Sequence, residues 1–573
     1  MGEDGGMEDH RDQPFPGGTA GRWVRGQMPV LLFALLLLVV LPMRDLWAPD
    51  EPDFAQCVKE MRHMGSWLLP YLNGQPYSEK PILYYWVMKV SAMGLDRLTG
   101  GFGFTEGVAA WALRLPSVVA SVAFMVAFRR WIQRFLDRGT ADLAVMVLAT
   151  TPLWFWQSEF IQIDLLFAAV LAWSWFCWLA GYLLLRGQAA PRSADEHRRW
   201  FLQAYVWLAL AFLAKGPLAP VLSLLLVGIF LLWQRDLKAL PRTGIVAGLA
   251  ITVVLVAPWY VAAGVKGGAH YAYEMIIFQN VQRATHAWDH IQPWWQYGQY
   301  LLGDFFPWVL LLPALALFLR RSGALSRPAT RFMLLAFAVP FVFLSAVQSK
   351  QGKYLLMSYP FLALLLAGLL RDLASGGAPA RSRRLGGLLA AGLALPAGAL
   401  VAVALGAGGA RLQAQVSAYL GPIRLMAAVM TVGTLVVIFA AIKGQGQRLV
   451  PAAALSLGLL YLVGGTWGFR LLDPAKNYRR WTTAVQPLIA GRQVFYWQTI
   501  RSGVMVYTDH LMPELRTAAA LERLDPEARL VAQRDEWEQD AWGMTPALRA
   551  RFDVLLSVPT GGGDILLLKK KPD

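Results

Sequence analysis

The sequence predicts a polytopic α-helical membrane protein of about thirteen transmembrane helices, closed by a small C-terminal α/β domain. Three observations predict it. Hydrophobic residues make up 56% of the 573 and charged residues only 16%, with a mean hydropathy of +0.42, far from a soluble average. Apolar runs close to the ~20 residues a helix needs to cross hydrocarbon recur from residue 28 to residue 467. Clusters of Lys and Arg fall in every second connection between those runs. The 24 Trp and 18 Tyr suit aromatic belts at two water–lipid interfaces.

Residues 1–27 are polar and glycine-rich and read as a disordered cytoplasmic tail. The run from Met28 to Pro42 lacks a small-residue cleavage pattern and reads as an uncleaved first span. Further spans are expected near 114–131, 140–157, 164–185, 200–214, 217–233, 243–263, 301–319, 332–347, 354–370, 385–406, 425–442 and 449–467. The basic clusters test the order independently. They include Arg129, Arg130 and Arg134, then Arg198 and Arg199, Arg320 and Arg321, and Arg383 and Arg384. Their alternation sets the N-terminus inside, and an odd number of spans leaves the C-terminus outside. The opposite connections carry only isolated cations, among them Lys215, Lys350 and Lys353.

Two outer loops are long, 44–113 and 264–300. The first holds an amphipathic stretch from Ile82 to Leu95, expected to lie along the interface. The second is too long for a plain connector and reads as a cover over the outer face that orders against a lipid. Residues 28–467 form the membrane domain on this reading, and 468–573 a soluble outer-face domain. In the latter, a helix is expected at 477–490 and strands at 493–498, 503–508 and 528–532. A hairpin over 553–558 and 564–569 would turn at Gly561-Gly562-Gly563.

The net charge of +16 sits in short clusters between apolar runs. It serves topology and contact with anionic lipid rather than nucleic acid, which is excluded as a partner. Cys57 and Cys177 are the only cysteines and make no disulfide framework.

The first outer loop carries the chemistry. It opens on Asp50-Glu51 and continues through Glu60-Met61, Gly65-Ser66-Trp67, Pro70, Gly74, Tyr77 and Glu79-Lys80-Pro81. Charge beside lipid is costly, about 2.5–3.5 kcal/mol at a helix centre, and usually has a task. Taken alone, Asp50 and Glu51 also suit the first turn of a helix, where acids meet the positive end of the macrodipole. Further on come Phe212-Leu213-Ala214-Lys215-Gly216-Pro217 and Ser349-Lys350, with Tyr354-Leu355-Leu356 and Pro360. Together these runs resemble the polyprenyl-phosphate-sugar-dependent membrane glycosyltransferases of the C-type fold. Within that superfamily they are similar to the branch of lipid A aminoarabinose transferase and the protein O-mannosyltransferases.

The resemblance implies that Asp50 is the catalytic acid–base group. A hydroxyl acceptor loses its proton as it attacks an anomeric carbon, and a placed carboxylate is worth ~10²–10⁴-fold there. Asp164 matches the family's second acid, with a helix cap as its alternative. The leaving group, a lipid phosphate, needs positive charge rather than a proton. The resemblance gives that work to Lys80, with Lys350, Lys353 or Arg283. Glu51, Tyr77, Glu79 and Tyr354 complete the implied substrate contacts. The aminoarabinose branch often has Arg two positions after the Asp-Glu pair, where Pro52-Asp53 stands here. Asp53 then reads as a solvated acid, with a cationic amino sugar as its alternative partner. A divalent ion, zinc or magnesium, is conceivable between Glu79 and His290, but two ligands are too few to define a site.

The resemblance thus implies a donor, a polyprenyl phosphate sugar, and an acceptor, lipid A or another glycan or protein. Membrane lipids are the surroundings, and the enzyme is expected to act as a monomer in the bacterial inner membrane with a periplasmic site. An aminoarabinose-like sugar is the leading expectation, and mannosyl or uronosyl transfer the alternative. A lipid or solute transporter is the competing class. Against it, no internal repeat is visible, and the polar clusters lie in outer loops instead of at midplane.

Overall fold

The computed structural model describes residues 27–99, 109–282, 290–375, 379–498, 502–508, 510–561 and 563–572. All thirteen apolar segments are helical. Among the described residues, eight helices are long and apolar enough to cross a membrane. Gln296–Asp304 and Trp308–Arg321, bent by 110° to each other, make a ninth when counted as one broken span. The other four segments are less regular. Met28–Val40 and Leu218–Trp233 are shorter apolar helices. The 140–157 segment breaks at Thr150-Thr151 into Arg138–Ala149 and Pro152–Ser158, and Glu196–Lys215 begins in a charged turn. The chain is a multi-pass membrane protein.

Ile163–Leu185 is the central helix. It is apolar all round, as a helix surrounded by others must be, and nearly all of it is buried. It packs along Glu196–Lys215 and against Ala110–Phe135. Aromatic side chains fill the spaces between, with Phe176 stacked on Phe361 at 4.3 Å and Trp178 on Phe332 at 5.6 Å. Ile245–Tyr273 instead leaves Val246, Val253, Val254 and Val265 exposed, the composition of a lipid-facing helix.

Two expectations are corrected. Residues 264–300 are not one long loop. Ile245–Tyr273 runs on through a break at Gly268 into a π-helical turn, Glu274–Gln282. Residues 283–289 lie outside the described residues, and with them the core of the expected cover. In the C-terminal region, 503–508 is a helix, Ser502–Thr508, and not a strand. Its Val504, Met505 and Val506 are all buried, and a short, wholly buried apolar run carries no period to separate helix from strand.

The remaining C-terminal elements follow the pattern. A helix spans Arg479–Ile489. Strands β3 (Val494–Trp497), β4 (Glu514–Leu515), β5 (Arg529–Gln533), β6 (Phe552–Thr560) and β7 (Gly563–Lys570) form a sheet in the order β4-β3-β5-β7-β6. β3 is parallel to β4 and β5, whereas β7 pairs antiparallel with β5 and with its hairpin partner β6.

The described part of the 44–113 loop is built, not slack. Helix Asp50–His63 is followed by a small hairpin, β1 (Tyr71–Leu72) and β2 (Gln75–Pro76), and then by helix Leu83–Thr99. Asn73 and Gly74 both take positive φ, 56° and 75°, the turn that matches strand twist in a two-residue hairpin. The Glu60 carboxylate accepts both turn amides, at 2.7 and 2.8 Å.

The candidate active site

The adjacent acids Asp50 and Glu51 have opposite fates. They open a helix, where successive side chains point about 100° apart, so one faces outward and the other into the protein. Glu51 is fully buried. Its oxygens accept from Arg44 at 2.5 and 3.2 Å and from Arg114 at 2.9 and 2.7 Å. They also accept the backbone N–H groups of Trp47 at 2.8 Å and Ile161 at 3.0 Å. Burial alone would raise its pKa, but the two guanidiniums win and hold it at about 2. Glu51 therefore does not line the site. It ties the 44–50 segment to the 158–162 loop.

Glu159, in that loop, is the counter-case. It is buried, and its Oε1 has no hydrogen-bond partner among the described residues. Burial outweighs Arg114 and Arg44 here, and its pKa rises to about 8.

Asp50 looks into a cleft of about 190 Å³. One of its oxygens accepts from Lys353 Nζ at 2.9 Å and from the Gln162 amide. Asp164, in the first turn of Ile163–Leu185, is paired with Lys215 in the last turn of Glu196–Lys215. The two groups sit at helix ends whose dipoles favour their charges. Lys353 also lies 3.9 Å from Asp164, bridging the two acids, and Lys215 Nζ is 4.1 Å from the Tyr354 ring. Tyr77, Glu79, Lys80 and His290 line the same cleft, with Glu79 and Lys80 paired at 3.9 Å. The Tyr77 hydroxyl is pushed well up, by burial first and then by Glu79.

Eight of the expected site residues thus meet: Asp50, Asp164, Tyr77, Glu79, Lys80, Lys353, Tyr354 and His290. Besides Glu51, Lys350 does not join them. Its Nζ is spent on the carbonyls of Val347 and of Gln292 at 3.0 Å, and it stitches the His290 segment to the loop before Lys353. Arg283 lies outside the described residues. Asp53, expected to face open water, lines the cleft instead. Lys215 and Gln162 were missed as site residues. Lys215 stood in a motif but read as one of the isolated outer lysines, and no period or spacing marks a lysine whose partner is fifty residues away. Glu79 and His290 share the cleft, yet among the described residues no three His, Cys, Asp or Glu side chains are grouped to hold a metal.

In three dimensions the chain is similar to ArnT from Cupriavidus metallidurans, whose crystal structure holds undecaprenyl phosphate. The TM-score is 0.73 at 20% identity, over 96% of this chain and 98% of that one. It also resembles the oligosaccharyltransferase of Archaeoglobus fulgidus, with a TM-score of 0.53 at 10% identity, over 89% and 70% of the two chains. The fold is therefore the C-type glycosyltransferase fold.

Sequence likeness is narrower. Residues 79–261 match the family model described as dolichyl-phosphate-mannose-protein mannosyltransferase. Two undecaprenyl phosphate-alpha-4-amino-4-deoxy-L-arabinose arabinosyl transferases are among the relatives. That of Shewanella sediminis is 30% identical over 59% of this chain and 58% of its own length. That of Pectobacterium carotovorum is 32% identical over 62% and 60%. The chain thus spans about three fifths of the length of these curated relatives. The resemblance to polyprenyl-phosphate-sugar-dependent C-type glycosyltransferases, first carried by the outer-loop motifs, is borne out.

Proposed function

We propose that the chain is an integral-membrane glycosyltransferase that moves an aminoarabinose-like sugar from a polyprenyl phosphate to lipid A. The observation that carries this is the ionic chain in the cleft, in which Lys353 lies between Asp50 and Asp164, with Lys215 on the far side of Asp164. A sugar 1-phosphate ester loses its phosphate as an anion, which needs cations and no proton. Lys80, Lys215 and Lys353, which all line the cleft, supply them. Asp50, partly exposed and adjacent, orients the acceptor, and takes its proton where that acceptor is a hydroxyl. Lipid A phosphate is already anionic, and there Asp50 acts by orientation and charge.

The match of 79–261 to the mannosyltransferase model supports transfer of a mannose-like sugar to a hydroxyl as the second reading. In the proposed arrangement the membrane is the bacterial inner membrane and the N-terminus is cytoplasmic. The cleft and residues 468–573, a soluble domain on this reading, face the periplasm. The alternating basic connections support this orientation.

The test is incubation of purified protein with a panel of polyprenyl phosphate sugars and lipid A, hydroxylated glycans or peptides, read by mass spectrometry. Pentose on lipid A is the expected product. Hexose on a hydroxyl acceptor selects the second reading, and no transfer from any donor overturns both.

A further inference from the structure

Asp304 is a carboxylate that touches no part of the cleft, yet it stands at the break of the bent span, between Gln296–Asp304 and Trp308–Arg321. An acid among apolar helices is costly and calls for a reason. Its surroundings give one. Tyr359 Oη donates to its Oδ2 at 3.4 Å. A Cβ placed on Gly352 would lie 2.5 Å from the same oxygen, so only a residue without a side chain lets the carboxylate come this close to the backbone.

Gly352 opens a 3₁₀ turn, Gly352–Ser358, that runs directly into helix Tyr359–Ser375. The residue after Gly352 is Lys353, the cation that reaches Asp50 and Asp164, and the next is Tyr354, which lies against Lys215. On the other side the loop is held by the Tyr300 hydroxyl on the Lys350 carbonyl and by the bridge between Ile291 and Ser349.

We propose that Asp304 is a positioning residue: by seating the Gly352 turn it aims the Lys353 ammonium at the phosphate of the lipid donor. This rests on the reading of Lys353 as a phosphate contact. It adds a residue on another span whose charge acts only through that lysine. Lys353 is long and flexible, and a point charge on four methylenes delivers its attraction only where its stem is fixed.

The test uses the full-length protein and undecaprenyl phosphate itself, so that it does not depend on the sugar. Binding is measured for wild type, Asp304→Asn, Gly352→Ala and Lys353→Met, and for Asp304→Asn combined with Lys353→Met. Thermal midpoints are recorded alongside. Asp304→Asn and Gly352→Ala are each expected to weaken binding about tenfold while Lys353 is present. Once Lys353 is Met, Asp304→Asn should add less than about twofold, since groups acting as one unit are not additive. An equal loss from Asp304→Asn in both backgrounds, or no loss in either, overturns the positioning role and leaves Lys353 as a phosphate contact. Unchanged binding in Lys353→Met alone overturns that contact, and the proposal with it. Should Gly352→Ala fail to fold, the near-isosteric Asp304→Asn decides alone.

Discussion

One step along a helix, about 100° of rotation, separates the cleft-facing Asp50 from the buried Glu51. Asp50→Asn is nearly isosteric and touches only cleft groups, so folding should survive while turnover on a hydroxyl acceptor falls below about a tenth of wild type, given the ~10²–10⁴-fold worth of a general base. Turnover and thermal midpoint of the purified variant check it. Glu51→Gln should do the reverse, leaving Arg44 and Arg114 buried without their counter-charge at a cost of about 3–5 kcal/mol, read as a loss of thermal stability. The two buried glutamates also give opposite pH signatures. Glu51, depressed from 4.5 to about 2, adds stability that is present above pH 4.5 and lost as pH falls through 2. Glu159, raised from 4.5 to about 8, adds stability that is full below pH 4.5 and lost as pH rises through 8. Glu159→Gln should therefore flatten the decline in thermal midpoint between pH 4.5 and 8. An unchanged slope would put its source elsewhere.

At the level of elements, the hairpin of the first loop offers a clean measurement. Gly74 has φ 75°, and Gly74→Ala should cost about 1–2 kcal/mol through the left-handed backbone alone, seen as a lower thermal midpoint. Legibility divides along similar lines. All thirteen apolar segments were readable because the bilayer sets their length, and β6–β7 because glycines mark its turn. Residues 502–508 were misread because β-branched composition outvoted a packing decision made elsewhere: the helix lies against Asp50–His63, where the Val506 carbonyl takes Lys59 at 2.8 Å. Where a loop was expected from residue 264, the helix continues through one positive φ at Gly268. In the cleft, Asp50, Tyr77, Glu79 and Lys80 were readable because they lie in one motif. The partnership of Lys215 with Asp164 was not, because it joins the ends of two spans.

Across the whole molecule, the segment around Asp50 and the C-terminal region are tied into one assembly. Asp45 meets Arg479 and the Tyr507 hydroxyl, while Asp473 accepts from the Asp45 N–H and the Trp47 indole. Asn73 exchanges two hydrogen bonds with the backbone of Met512, at 2.7 and 2.9 Å. Ending the chain after Gly468 should therefore leave the spans inserted, since their apolar lengths are intact, but abolish turnover. Protease-protection of the membrane part together with donor turnover would check this. A reporter fused after Asp573 should be active only outside the cytoplasm, and cytoplasmic activity would overturn the proposed orientation.

Those contacts between the ends have a consequence in time. Asn73 and Met512 are separated by 439 positions, and a chain is made from its N-terminus at about 5–20 residues per second. The wall bearing Asp50 therefore waits unfinished for tens of seconds while every later span is threaded. A ribosome that stalls in the final spans leaves an inserted protein whose 44–77 segment keeps its ties to Arg114 and Ile161 but lacks those to Asp473 and Met512.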